Sequence, residues 1–191
     1  MRKVQNRGFT LVELMIVVAI VGVLAALAIY GVRKYVLNAK TTEARSAVFR
    51  LSKDATTAYA RPKMAGDVLA LGAQTANDNS LCLSAAASVP AAAESIQGSK
   101  YQSAPSEWSA GDINTGWRCL QFSINDPQFF MYSYTATVAG GAGDTFAARA
   151  QGDLDGDGVL SSFTVNGNVA SEDDELVLIV SPNLIEENPN E

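Results

Sequence analysis

The sequence predicts an α+β protein in which a long amino-terminal helix packs on an antiparallel β-sheet. Residues 14–32 form an apolar run without a charged side chain, and a stretch with helical periodicity follows it as far as residue 61. After residue 116, short runs of alternating apolar and polar residues are separated by turns rich in Gly and Asp, which is typical of antiparallel strands. The 191 residues suffice for one domain of ordinary size and one long apolar element.

Composition restricts the classes of function. The chain contains no histidine, which excludes Ser-His and Cys-His nucleophiles and histidine metal sites. The net charge is −6, and it would become −9 if Arg2, Lys3 and Arg7 were removed with the first eight residues. Because an acidic body repels the phosphate backbone, we do not expect nucleic acid as a general partner.

The segment 9–32 has the length of a membrane span. The 22 residues 9–30 would cover about 33 Å as a helix, enough for a hydrocarbon core of about 30 Å. The cations before it favour a cytoplasmic amino terminus and an exported remainder. Glu13 lies inside the apolar segment, where a carboxylate costs about 2.5–3.5 kcal/mol on insertion scales and normally marks a function with a partner. The alternative is an ordinary signal peptide that is cut after Ala26 or Ala28.

Residues 8–36, with the sequence GFTLVELMIVVAIVGVLAALAIYGVRKYV, resemble the amino-terminal signature of type IV prepilins and of the related type II secretion pseudopilins. The resemblance implies a basic leader that ends in Gly8, cleavage by prepilin peptidase before Phe9, and N-methylation of the new amino terminus. It also implies that Glu13 pairs with the amino terminus of a neighbouring subunit during assembly, since an ammonium group would compensate the buried carboxylate. Many members have a proline where this chain has Tyr30, so the resemblance leaves open whether the helix melts in a filament.

The helix is expected to continue beyond the membrane as far as Pro62, which stops it. Apolar residues recur at spacings of three, four and seven, which places them on one helix face. They are Leu37, Ala44, Val48, Leu51, Ala55 and Ala58. The predicted divisions are a cleaved leader (1–8), a transmembrane and filament-core half of the helix (9–32), an amphipathic half (33–61), a connector (62–115), and a sheet with an acidic carboxy-terminal tail (116–191).

The connector is rich in Ala, Ser, Gly and Asn, and we expect in it one short helical turn at most. Strands are predicted beyond it from alternation and turn signals. Their predicted ranges are 117–124, 129–138, 145–150, 160–165 and 175–180.

Cys82 and Cys119 are the two cysteines of the chain, and the predicted orientation places both outside the cytoplasm. A disulfide between them is therefore expected, and closing a loop of 38 residues would stabilise the fold by about 4 kcal/mol. The alternative is a pair of buried free thiols.

Asp153, Asp155 and Asp157 stand at alternate positions before Gly158, which is the spacing of a calcium loop. The same residues also suit an Asp-Gly turn between strands, and both interpretations stay open. The bidentate glutamate of such loops is missing, because Thr164 stands at the twelfth position. No cofactor is required by the predicted fold, and calcium is the one candidate.

Three functions are compatible with these observations. The leading hypothesis, which rests on the resemblance, is a structural subunit, major or minor, of a type IV pilus: it would reside in the inner membrane before assembly and in an extracellular filament afterwards. Its partners would be prepilin peptidase, the inner-membrane assembly machinery, other pilins and further copies of itself. The second hypothesis is a type II secretion pseudopilin. The third is a membrane-tethered periplasmic enzyme or receptor, which the lack of a nucleophile and base pair disfavours.

Overall fold

A computed structural model describes residues 8–61, 79–172 and 175–189 of the chain. They fall into two compact units, the first ending at Ala39 and the second beginning at Lys40. Helix α1, Leu11–Tyr59, contributes to both. The leader residues 1–7 and residues 62–78 of the connector lie outside the described residues.

Helix α1 contains no proline, and its composition of Leu, Ala, Val and charged residues supports a long helix. It begins two residues after, and ends two residues before, the predicted range of 9–61. In the second unit it buries one face at the spacing of three and four that the sequence predicts. The buried residues are Thr41, Ala44, Val48, Leu51, Ser52, Ala55, Ala58 and Tyr59.

The second unit contains a five-stranded antiparallel sheet in the order β1-β2-β3-β4, with β5 also paired to β3. The strands are β1 Met131–Thr137, β2 Thr145–Gly152, β3 Ser161–Glu172, β4 Glu175–Val180 and β5 Ile185–Glu187. Strand β4 pairs with the carboxyl-terminal half of β3, and β5 pairs with its amino-terminal half. The predicted α+β class, a helix packed on an antiparallel sheet, is confirmed.

Side chains of α1 join the helix to the sheet. Arg45 forms a two-bonded ion pair with Glu186 of β5, at 2.7 and 3.0 Å, and its guanidinium lies 5.7 Å from the centre of the Phe163 ring. At the end of the helix, the Tyr59 hydroxyl donates to the Leu176 carbonyl of β4 at 3.2 Å. The last strand of the chain is thus tied to its first helix.

The strand predicted at 117–124 is wrong. Residues Gly116–Leu120 form the short helix α2, which ends where Gln121 adopts a left-handed conformation at φ 59°. The buried side chains include the adjacent pair Cys119 and Leu120, and two neighbours cannot face one side of a strand. The helical turn buries both together with Trp117, whose indole N–H donates to the Ala87 carbonyl at 3.0 Å.

Aromatic side chains fill the core beside α2. The Trp108 ring meets Trp117 and Phe122 edge-on, with centroid distances of 5.0 and 5.4 Å. Such contacts add about 0.5–1.5 kcal/mol beyond the area they bury. Among the connector residues that the structure describes, 79–115, the one helical element is the 3₁₀ turn Ala93–Ile96, which agrees with the prediction.

Candidate functional site

The amino-terminal site is built around the start of α1. The Glu13 carboxylate accepts hydrogen bonds from the Thr10 backbone N–H and hydroxyl, both at 2.8 Å, while the Glu13 N–H donates to the Thr10 hydroxyl at 3.3 Å. This reciprocal arrangement is a capping box, which satisfies free N–H groups at a helix start. Thr followed three residues later by Glu is the sequence signal of this motif, and it would have predicted the bond between the two side chains. Glu13 therefore has a partner within its own chain.

The described part of the first unit is an apolar surface without a core. Every residue from Gly8 to Val36 is exposed, including Phe9 at 89% and all the leucines, isoleucines and valines of the segment. Helix α1 reaches a mean hydropathy of 2.8 over its most apolar 18 residues, long and apolar enough to cross a membrane. Side chains of this kind are driven out of water, so the segment needs an apolar environment from outside its own fold.

The predicted disulfide between Cys82 and Cys119 is present, with the two Cα atoms 5.9 Å apart and both residues buried. It joins the connector to α2 beside a bridge between Leu83 and Thr115. The bond therefore fixes a part of the chain that has little regular structure of its own.

The acidic loop lies between β2 and β3. Asp153 is fully buried, and its carboxylate accepts the N–H groups of Gly156 at 2.6 Å and Gly158 at 2.9 Å. Burial opposes ionisation of Asp153, but these donors outweigh it and hold the pKa of the carboxyl below its ordinary value. Asp155 and Asp157 are exposed, and oxygens of the three carboxylates come within 4.8 Å of one another.

Two acidic residues that follow the loop in sequence lie too far from it in the sheet to serve as further ligands. Glu172 and Glu175 pair with each other at the far end of β3. Eleven residues separate Glu172 from Ser161 at the loop end, about 36 Å along a strand. Asp173 and Asp174 lie outside the described residues. The structure brings the three loop aspartates together and supplies no fourth carboxylate among the residues it describes, so calcium binding stays a prediction.

Comparison with known proteins identifies the amino-terminal segment. Residues 3–29 match the family described as the prokaryotic N-terminal methylation motif. The chain is similar to a type IV major pilin protein of Myxococcus xanthus (57% identity; 22% of this chain, 19% of the relative). It is also similar to fimbrial proteins of Moraxella nonliquefaciens (40% identity; 38% and 45%) and Pseudomonas aeruginosa (47% identity; 30% and 38%). Each match spans less than half of the relative, and no solved structure matches the chain. The resemblance to type IV pilins is confirmed.

Proposed function

We propose that this chain is a structural subunit of a type IV pilus, held in the inner membrane by α1 before assembly and polymerised through the same segment into a surface filament. The observation that carries the proposal is the contrast within α1: its first half exposes apolar side chains around one carboxylate, whereas its second half buries one apolar face in the folded body. Lipid can cover the apolar half before assembly, and neighbouring helices can cover it afterwards. The chain is not an enzyme, since the relatives it matches are structural fimbrial proteins.

Processing by prepilin peptidase fits the local structure. Gly8 and Phe9 precede α1 and are exposed, so the peptide bond between them lies outside helical hydrogen bonding. The alternative cleavage points after Ala26 and Ala28 lie within α1, whose backbone would have to unwind before a peptidase could bind it in extended form.

Mass spectrometry of protein extracted from the membrane tests this step. We expect a mature chain that begins at Phe9 and carries one methyl group on its amino terminus. A mature chain beginning at Leu27 or Ile29 would establish an ordinary signal peptide and overturn the proposal. Deleting the prepilin peptidase should leave the leader attached, which provides the control.

A type II secretion pseudopilin is the second candidate, because the same leader and helix serve both assemblies. Two of the comparisons are with fimbrial proteins and one is with a major pilin, which favours the pilus. Electron microscopy with an antibody against the body, applied both to sheared cell-surface material and to thin sections of the cells, separates the two. Labelled long filaments support a pilus, whereas labelling confined to the periplasm supports a pseudopilus.

A further inference from the structure

We infer that Lys40, Lys100 and Phe129 form a contact site for anionic phospholipid headgroups, which holds the body of the unassembled subunit against the membrane surface. The inference rests on the proposed function, because it requires α1 to be inserted in a bilayer. The site is called the lysine clamp below, and all three of its residues belong to the second unit.

Both ammonium groups of the lysine clamp approach one aromatic ring. Nζ of Lys40 lies 4.7 Å, and Nζ of Lys100 4.6 Å, from the centre of the Phe129 ring. The two cations are therefore at most about 9 Å apart. The Glu43 carboxylate accepts the Phe129 N–H and offsets one of these charges, so the group keeps one net positive charge that an anion can meet. Lys100 is exposed and Phe129 is half-buried, so the site faces solvent.

Backbone contacts hold the lysine clamp in place. The Phe129 N–H donates to Glu43 of α1 at 2.8 Å, one helical turn beyond Lys40, so the ring stands beside that lysine. Tyr101, next to Lys100, exchanges two backbone hydrogen bonds with Gln128, at 2.9 and 2.8 Å. The three residues come from α1, the connector and the segment before β1, and their meeting is a product of the fold.

The charge of the body makes this site unusual. From Lys40 to the end of the chain there are nine Lys and Arg against nineteen Asp and Glu, a net charge of −10. Such a body is repelled by an anionic leaflet. Around the lysine clamp the balance reverses: a cavity of about 450 Å³ beside it contains Arg50 and Lys100 against Glu43 and Asp126, and Lys40 adds a further cation.

The position of Lys40 in the chain selects the lipid surface as the partner. It begins the second unit and follows Val32, the last residue of the apolar run, by eight residues. In a helix eight residues rise about 12 Å, which is within reach of the headgroup layer for a long lysine side chain. Lysine side chains near a membrane surface attract anionic headgroups, at about 1 kcal/mol for each lysine.

The test uses the full chain in nanodiscs made of phosphatidylcholine alone or with phosphatidylglycerol added, at one subunit per disc. A short pulse of a water-soluble amine-acylating reagent is followed by peptide mass spectrometry. We expect Lys100 to react about fivefold more slowly in the anionic discs, the protection that one lysine contact provides. Lys53, an exposed lysine of α1 outside the clamp, should react equally in both. Roughly 1 M salt, where the Debye length is about 3 Å, should abolish the difference.

Two matched variants separate the clamp from a general effect of the charged surface. Lys40→Gln should remove most of the protection of Lys100, whereas Lys53→Gln should leave it intact. Equal reaction of Lys100 in both kinds of disc, or equal protection of Lys53, would overturn the inference while leaving the pilus proposal in place. The pulse is repeated at two subunits per disc, and protection that follows the number of subunits rather than lipid charge would assign the site to a second copy and overturn the inference as well. Failure of the chain to enter discs would overturn both proposals.

Discussion

The two units of this chain differ in where their apolar side chains lie: the first unit exposes them, and the second buries them in a core. Up to Val36 every described residue is exposed, and in the proposed function lipid or neighbouring copies cover this segment. From Lys40 onward the chain buries its own aromatic core and closes a disulfide. Substitutions in the first unit should therefore change assembly, and substitutions in the second should change the free energy of unfolding. Both tryptophans lie in the second unit, so their fluorescence reports on the body alone.

The largest expected effect lies in the first unit. Glu13→Leu should leave the subunit inserted and its body folded, but reduce sheared-filament yield relative to total subunit by tenfold or more, since ~1.4 kcal/mol per subunit is already tenfold. Thr10→Val is the control, because it removes the capping-box partner and keeps the carboxylate. If Glu13 serves only as a cap, the two variants will lose filaments equally, by the effect of about 1 kcal/mol expected for a lost cap.

The largest effect on the body should follow loss of the disulfide. Cys82→Ser with Cys119→Ser should lower the free energy of unfolding by about 4 kcal/mol, and the melting temperature by roughly 10 °C. Tryptophan fluorescence of the full chain during thermal unfolding measures it. Reduced wild-type protein should reproduce the loss, and a variant that melts with the oxidised wild type would contradict the prediction.

Tight packing within the sheet predicts the next effect. A Cβ at Gly167 would overlap the ring of Phe146 on the neighbouring strand, whereas a Cβ at Gly141 would meet nothing within 4 Å. Gly167→Ala should therefore destabilise the body by about 1–3 kcal/mol, as overpacking does, and Gly141→Ala should not. Denaturant titration compares the two. Equal midpoints would show that the ring of Phe146 can move away.

The sequence predicts the regular elements of the fold, but not the contacts between residues that are far apart in the chain. The helix, its buried stripe and most of the strands follow from local periodicity, and the disulfide follows from cysteine count and compartment. The turn at α2 does not, because its conformation is set by contacts with Ala87 and Cys82, more than 25 residues away. Strand β5 was not predicted, since three residues carry too little pattern to recognise.

The candidate sites, too, could be predicted from the sequence only in part. Glu13 was found because a carboxylate is conspicuous in an apolar run, yet its bond to Thr10 was missed. Proximity of the three loop aspartates followed from their spacing. The burial of Asp153 and its hydrogen bonds to two backbone N–H groups could not be predicted from that spacing. Burial depends on how β2 and β3 meet around this residue.

A smaller effect is expected from calcium at the acidic loop. At an affinity of about 10⁻⁴–10⁻³ M, roughly 2 mM calcium would stabilise the body by about 0.7–1.8 kcal/mol. Asp155→Ala should abolish the shift in melting temperature between calcium and chelator, whereas Asp126→Ala, an exposed aspartate outside the loop, should preserve it. If wild type melts identically in both conditions, the loop is an Asp-Gly turn whose own backbone satisfies Asp153.

The smallest expected effect on the free energy of unfolding comes from the carboxyl group of Glu43, which is half-buried. Burial raises the pKa of its carboxyl, although the Phe129 N–H, the Tyr132 hydroxyl and nearby Lys100 partly offset this. A carboxyl with a raised pKa in the folded state contributes stability below its unfolded pKa, and that stability is lost as pH rises through the folded value. Glu43→Gln should therefore be more stable than wild type at pH 7 and no more stable than wild type at pH 4. Denaturant midpoints at the two pH values measure it, and a gain independent of pH would contradict the assignment.

The ion pair between Arg45 and Glu186 joins residues 141 positions apart. Loop-closure entropy makes contacts between residues so far apart in sequence late events in folding, and β5 follows the other four strands in the chain. On the proposed export, the second half of α1 therefore lacks this partner until β5 has been made. A subunit truncated before Ile185 cannot form this ion pair, and we expect proteases to degrade it faster than the full chain.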